Sequence, residues 1–314
     1  MIEEQFEFSP CSKTGTYELA KGGTEMMYER LISSLPKELL NKFQIICSRV
    51  RELDPNKKKI LWVHDTYDDP ENIHLKNPEN HDLYEKFVFV TYSQFLTYHM
   101  EYKIPYSKSV VIENAIQPFN SINKPTDRIN LIYHTTPHRG LELLVPTFEY
   151  LAKKYSDIHL DVFSNFDIYG WPKRNEPYEK VFEVCRNNPQ ITYHGTQPNA
   201  IVRDYLSRAH IFAYPSIWPE TSCIAAMEAM AANCLVVASD LGALPETLLD
   251  QRYMYRYDED PHAHIRTFVS VLEHAIIQCR ETKSSFTDVS NIANVKFDWG
   301  RKSQEWKILL ESLL

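Results

Sequence analysis

The chain has 314 residues, 43% of them hydrophobic and 24% charged, with a formal net charge of −8 at pH 7. This is the composition of an ordinary soluble globular protein of one large or two modest domains. It lacks the basic footprint that nucleic-acid binding needs, and no run of about 18 apolar residues offers a membrane span.

The opening MIEEQFEFSP is acidic and has no apolar signal-peptide core, so a cytoplasmic protein is expected. The six cysteines, at 11, 47, 185, 223, 234 and 279, form neither a C-x-x-C pair nor a Cys/His cluster of zinc spacing. Several sit in apolar patterns, which predicts free, buried thiols in a reducing compartment. Peripheral membrane association stays open.

In chain order, the pattern predicts a helix over 24–34 and strands over 43–47, 60–64, 87–91 and 109–112. Ser93 is expected to N-cap a helix that runs to about Tyr102. Segment 65–78 is polar and contains proline; it falls at the carboxyl end of a strand, where α/β folds place their ligands. Segment 117–128, with Pro118, Pro125 and few apolar residues, reads as an interdomain linker. Beyond it, strands are predicted over 129–134, 159–163, 191–194, 211–214 and 235–239. Helices are predicted over 141–155, 178–187, 199–209, 223–232, 244–249, 262–279 and 299–314. Strict alternation of this kind argues for α/β layers with parallel sheets. The expected division is 1–120, completed by 297–314, and 121–296.

The most informative stretch is YPSIWPETSCIAAMEAMAANCLVVASDLGALPE, from Tyr214 to Glu246. It places Glu220 just past a strand–proline turn and Glu228 inside an Ala/Met-rich helix, eight residues on. A carboxylate among Ala225, Ala226, Met227, Ala229 and Met230 is costly to bury unless something polar meets it. Two acceptor-only groups at a strand-to-helix junction suit the hydroxyls of a sugar and a ribose. The helix start near Ser222 and Cys223 suits a phosphate.

This stretch resembles the E-x7-E signature of the retaining glycosyltransferases of family 4. Pro215, Ser216, Glu220, Glu228, Ala229, Met230, Ala231, Val236, Val237, Ala238, Ser239, Gly242, Pro245 and Glu246 match the pattern. Cys223, Asn233-Cys234 and Ala243 depart from it, and none removes a carboxylate. The resemblance implies a GT-B fold: two Rossmann-like domains facing each other across a cleft, with a last helix that crosses back to the first domain. Trp299 and Trp306 would anchor that crossing. It also implies transfer of a hexosyl group from a nucleotide diphosphate sugar to an acceptor hydroxyl with retention; a UDP sugar is favoured and a GDP sugar stays open.

Site roles follow from the same resemblance. Glu220 would hold the transferred sugar and Glu228 the ribose. Gly22-Gly23-Thr24-Glu25 is similar to the family's Gly-Gly-x-Glu, whose amides approach the diphosphate; a turn ahead of a helix is the other reading. His64 would point into the cleft toward the sugar. His138-Arg139-Gly140 looks like the diphosphate-binding Arg…Lys-Gly motif, with Arg139 at the Lys position and His134 where the Arg stands. His194 would lie beside the nucleotide base. The Gly-x-Gly that precedes it in the family is replaced here by FSNFDIYG. Asp65, Asp68 and Asp69 are read as a solvated loop, and no metal or other cofactor is expected. The acceptor stays open among glycan, lipid, protein and modified base. Two other classes also stay open: a sugar-nucleotide epimerase of the same fold, and a non-catalytic sugar-nucleotide-binding protein.

Overall fold

The computed structural model describes residues 21–120, 122, 124–281 and 287–314. Its first half holds α1 (Gly23–Ser34), α2 (Lys37–Leu40), β1 (Phe43–Cys47), β2 (Lys58–Val63), β3 (Lys86–Phe89), α3 (Tyr92–Tyr102) and β4 (Ser109–Val111). The four strands pair in parallel in the order β1-β2-β3-β4. The second half holds β5 (Ile129–Tyr133), α4 (Leu141–Lys154), β6 (Ile158–Val162), α5 (Glu179–Asn187), β7 (Ile191–Tyr193), α6 (Asn199–Arg208), β8 (Ile211–Tyr214) and α7 (Ile224–Ala231). It continues with β9 (Leu235–Ser239), α8 (Leu244–Thr247), β10 (Met254–Tyr255), α9 (Pro261–Glu281), α10 (Thr287–Lys296) and α11 (Trp299–Ser312). This sheet runs β10-β9-β8-β5-β6-β7, again parallel throughout.

The architecture is GT-B: two Rossmann-like α/β domains. Each residue of β5, β8 and β9 is buried, because crossover helices cover both faces of a parallel sheet. The Ala/Met stretch of α7 is buried from Ala226 to Ala231, as a helix without a polar face must be. The strand order reverses between β5 and β8, and the crevice outside their carboxyl ends is the switch point where such sheets bind ligands.

The last helix packs on the first domain. Trp299, Trp306, Leu309 and Leu310 share a core cluster with Met27, Leu31, Ile60 and Trp62, and the Trp62 and Trp306 rings meet edge-on at 4.7 Å. The chain is guided there by the Ile116 amide on the Phe297 carbonyl at 2.7 Å and the Trp299 amide on the Ile116 carbonyl at 2.9 Å.

The structure differs from the local expectations in several places. Thr91, not Ser93, caps α3, its hydroxyl accepting from the Gln94 amide at 3.2 Å. Ser93 instead meets Glu246 of the other domain: the Tyr92 and Ser93 amides and the Ser93 hydroxyl all donate to that carboxylate at 2.7–2.8 Å. Segment 65–78 contains a 3-10 turn, Pro70–Lys76, started by Asp69, whose side chain accepts from the Glu71 amide. The short elements α2 and β10, and the helix α10, went unpredicted because brief or weakly periodic runs carry little signal. Among the described residues no helix is long and apolar enough to cross a membrane.

Candidate active site

Three loops converge at the switch point, and two glycines set how closely. The turn Pro137–Arg139 ends at Gly140, whose φ is +121°. A Cβ there would lie 2.3 Å from the Pro215 carbonyl oxygen, so only glycine lets the loop after β5 press against the loop after β8. Gly242, at φ +67°, does the same for the loop after β9; its Cβ would fall 2.5 Å from the Glu220 amide nitrogen. The Ala243 amide donates to the Glu220 carbonyl at 2.7 Å and completes the clamp. Glu220 is therefore held at its backbone before its side chain makes any contact.

The Glu220 carboxylate, 6% exposed, accepts from the Arg139 guanidinium and from the Tyr214 hydroxyl. Both bonds fall on Oε1. Burial would lower the Arg139 guanidinium, but the Glu220 carboxylate, joined by Tyr214, Tyr169 and Cys223, holds Arg139 well above its ordinary range. Burial, then the Glu220 charge, raises Tyr214, which stays a neutral donor. The structure thus brings Glu220 and Arg139 together from loops 81 residues apart. Sequence reading assigned both to the site but not to each other, and it missed Tyr214, whose place immediately before Pro215 was the available signal.

Across the cleft, Gly22 and Gly23 start α1. The Gly22 amide donates to the Glu25 side chain at 2.6 Å, a capping box closed within the helix start. The Gly22 amide thus has a carboxylate acceptor within its own helix start. Gly23, at the first helical position, lacks a backbone acceptor by geometry. It packs against Ile224 of α7, whose Cδ1 lies 3.2 Å from the position a Cβ would take.

Glu228 is 2% exposed, and α6 supplies the polar partners its burial demands. Asn199 Nδ2 donates to both carboxylate oxygens at 3.2 Å, and Arg203 Nη1 donates to Oε1 at 3.2 Å. Arg203 also donates to the Pro118 carbonyl at 3.0 Å and stacks over Phe119 at 3.7 Å. Arg30 of the first domain lies in the field of this pair and donates to the Ala115 carbonyl at 2.8 Å. Asn199 and Arg203, one helical turn apart, were missed; their i, i+4 spacing places both on one face. With three of about four lone-pair sites taken, Glu228 retains room for one further donor.

The histidines differ from one another. His64 follows β2 and is nearly buried; its ring lies 4.7 Å from Trp62, and its Nε2 has no partner among the described residues. Burial pushes it down to about 3. Its carbonyl accepts from Thr221 at 2.7 Å, which ties it to the loop carrying Glu220. His134 packs on Phe212 at 4.7 Å, and burial lowers it to about 3 as well. A role as a protonated phosphate clamp near neutral pH does not fit that environment. His138 stacks on Phe166 and meets Trp218 edge-on at 4.8 Å; burial, then Arg139 and Arg174, lowers it to about 4. His194 turns into the fold: its Nε2 bonds to Asp161 at 2.8 Å, and its ring lies between Phe163 and Tyr205. Ser222 and Cys223 stand at the start of α7. The Ser222 hydroxyl is buried without a partner among the described residues, and burial and the Glu220 charge raise the Cys223 thiol. Among the described residues no group of three or more His, Cys, Asp or Glu side chains is disposed to hold a metal ion.

The family described as Glycosyl transferases group 1 matches residues 114–273, which run from the interdomain crossing through the whole switch-point site. The chain belongs to the glycosyl transferases group 1 family. Among curated relatives of the family, the lipopolysaccharide 1,2-N-acetylglucosaminetransferase of Salmonella typhimurium is 25% identical over 216 residues, covering 64% of this chain and 54% of that protein. One subunit of the human phosphatidylinositol N-acetylglucosaminyltransferase is 26% identical over 195 residues, covering 60% of this chain and 38% of that protein. The chain thus spans about half or less of the length of these relatives. A glycosyltransferase of Rickettsia africae superposes with a TM-score of 0.64 at 16% identity, covering 96% of this chain and 83% of that one. The pneumococcal O-GlcNAc transferase GtfA, solved with UDP and GlcNAc, superposes with a TM-score of 0.60 at 15% identity, covering 82% of this chain and 53% of that one. The solved structures bear on the fold, and the family assignment rests on the sequence match. Within that match lie Arg139, Tyr214, Glu220 and Glu228, whereas Gly22, Gly23 and His64 lie outside it.

Proposed function

We propose that the chain is a retaining glycosyltransferase that moves a hexosyl group, N-acetylglucosamine first among candidates, from a UDP sugar to an acceptor hydroxyl. The observation that carries this reading is the buried Arg139–Glu220–Tyr214 cluster at the switch point, facing the Gly22–Gly23 turn of the other domain. Relatives named as N-acetylglucosaminyltransferases and a neighbour solved with UDP and GlcNAc support the choice of donor.

The chemistry follows from the groups present. The bond from the anomeric carbon to the diphosphate oxygen breaks while a bond to the acceptor oxygen forms on the same face, and the departing phosphate oxygen takes the acceptor proton. Charge accumulates on the diphosphate, and Arg139 meets it in a site where the protein, not water, supplies the dipoles. The amides at the start of α7, near Ser222 and Cys223, add to that field. Glu220 positions Arg139 through Oε1 and offers Oε2 to hydroxyls of the transferred sugar. Glu228 accepts from the ribose. His64, neutral at physiological pH, offers Nε2 to the sugar or the acceptor. No step calls for a metal, so turnover is expected to survive excess EDTA.

The test is incubation with UDP-N-acetylglucosamine, UDP-glucose and GDP-mannose, scoring release of the nucleoside diphosphate and measuring nucleotide affinity by calorimetry. Release from a UDP sugar supports the reading. Binding without release across acceptor panels points to a non-catalytic binder, and absence of both overturns the proposal.

A further inference from the structure

We propose that Tyr169 is a donor-site residue whose hydroxyl binds the β-phosphate of the nucleotide sugar. It stands on the segment that replaces the family's Gly-x-Gly, and this inference rests on the donor reading above.

The phenol reaches across the cleft between the two domains. A Cβ on Gly22 would lie 2.5 Å from Tyr169 Cε1, so the ring edge packs directly on the glycine turn of the first domain. The same side chain lies in the electrostatic field of Arg139 and Glu220 from its own domain and of Glu25 and Asp65 from the other. Charged groups from both walls therefore converge on one phenol. Burial raises it, so it is protonated at neutral pH and donates. A donor bound between the Gly22–Gly23 turn and Arg139 has to share that space with Tyr169.

The segment is built to stay in place. Asn165 accepts from the Asp167 amide at 2.9 Å, and Asn175 accepts from the Phe166 amide at 2.7 Å. Asn175 also donates to the Asp167 carboxylate at 2.9 Å. Gly170, at φ +72°, closes the turn with its amide on the Asp167 carbonyl at 2.9 Å. The Trp171 ring lies tilted against Tyr169 at 5.1 Å, and the Arg174 guanidinium covers Trp171 at 4.3 Å. A side chain fixed this way is a preorganised contact, not a lid that must swing away. On the donor reading, a diphosphate lying between Arg139 and the Gly22–Gly23 turn meets this side chain.

The experiment uses calorimetry with UDP and UMP on the wild type and on Tyr169→Phe, with thermal denaturation of each. The phenylalanine variant keeps the ring on Gly22 and removes only the hydroxyl. The expected result is an unchanged melting temperature, UDP affinity weakened about tenfold or more, as for loss of a hydrogen bond to a charged group, and UMP affinity changed by less than about twofold. A second pair tests the packing: Gly22→Ala is expected to lower the melting temperature, and Tyr169→Ala in the same chain to restore most of it. UDP affinity unchanged in Tyr169→Phe, UMP weakened as much as UDP, or no rescue of Gly22→Ala overturns the proposal while the donor reading stands. A wild type that binds neither UDP nor a UDP sugar overturns both.

Discussion

Arg139→Ala separates a structural charge pair from a catalytic one. Glu220 is 6% exposed and, among the described residues, takes its charged partner from Arg139 alone, since Tyr214 contributes only a neutral hydroxyl. Removing one member of a buried pair leaves an uncompensated carboxylate and typically costs about 3–5 kcal/mol. At about 2–4 °C per kcal/mol for a domain of this size, the melting temperature should fall by about 6–20 °C. The Tyr214 hydroxyl stays as one donor to Glu220, which places the expectation toward the lower end. The double variant Arg139→Ala/Glu220→Gln removes the orphaned charge at constant volume and should recover at least half of the lost stability. Turnover should behave differently. Loss of a preorganised contact to the developing diphosphate charge costs about 10²–10³ in rate, and the double variant should recover none of it. Arg139→Lys should keep part of both properties, as a point charge without the guanidinium's geometry. The assays are thermal denaturation and release of UDP from UDP-N-acetylglucosamine. A melting temperature within about 2 °C of wild type together with turnover within threefold would refute the reasoning.

Three further outcomes are expected. Glu228→Gln should weaken UDP binding by about 1.5–3 kcal/mol while the fold is retained at a lower melting temperature, since the Arg203 pair is broken but Arg203 keeps the Pro118 carbonyl; unchanged affinity in calorimetry would argue against ribose contact. Gly140→Ala should destabilise by at least about 2 kcal/mol, since the new Cβ is strained at φ +121° and meets the Pro215 oxygen; a denaturation midpoint equal to wild type would contradict that geometry. The pH dependence follows from His64, lowered from about 6.5 to about 3. As pH falls below about 6.5 the unfolded chain takes the proton first, so the stability due to His64 is complete above that pH and declines on acidification toward 3. The loss is about 1.4 kcal/mol per pH unit. His64→Gln should flatten the profile between pH 6.5 and 4.5, and identical slopes would show that the imidazole is not buried neutral. Because His134 is lowered in the same way, His134→Gln should leave the pH–rate profile between 6 and 8 unshifted.

Sequence by itself determined the alternation of strands and helices, the parallel α/β class and the stretch from Tyr214 to Glu246. Those are set by local periodicity and by residues that stand close in the chain: Pro215, Glu220, Glu228 and Gly242 needed no folding to be recognised together. It also determined that something polar must meet Glu228, because the residues around that carboxylate are apolar. What it could not supply was the partner. Asn199 and Arg203 reach Glu228 only because α6 packs beside α7, and Arg139 reaches Glu220 only because Gly140 and Gly242 let three loops touch. The histidines were separable only in the fold: the residue type is the same at 64, 134, 138 and 194, but a ring held by Asp161 and a ring buried on Phe212 differ in partners and reach. Tyr169 came from the place where the sequence departs from the family pattern. Its meaning was decided by tertiary structure, since contact with Gly22 lies across a cleft that no chain-local pattern records.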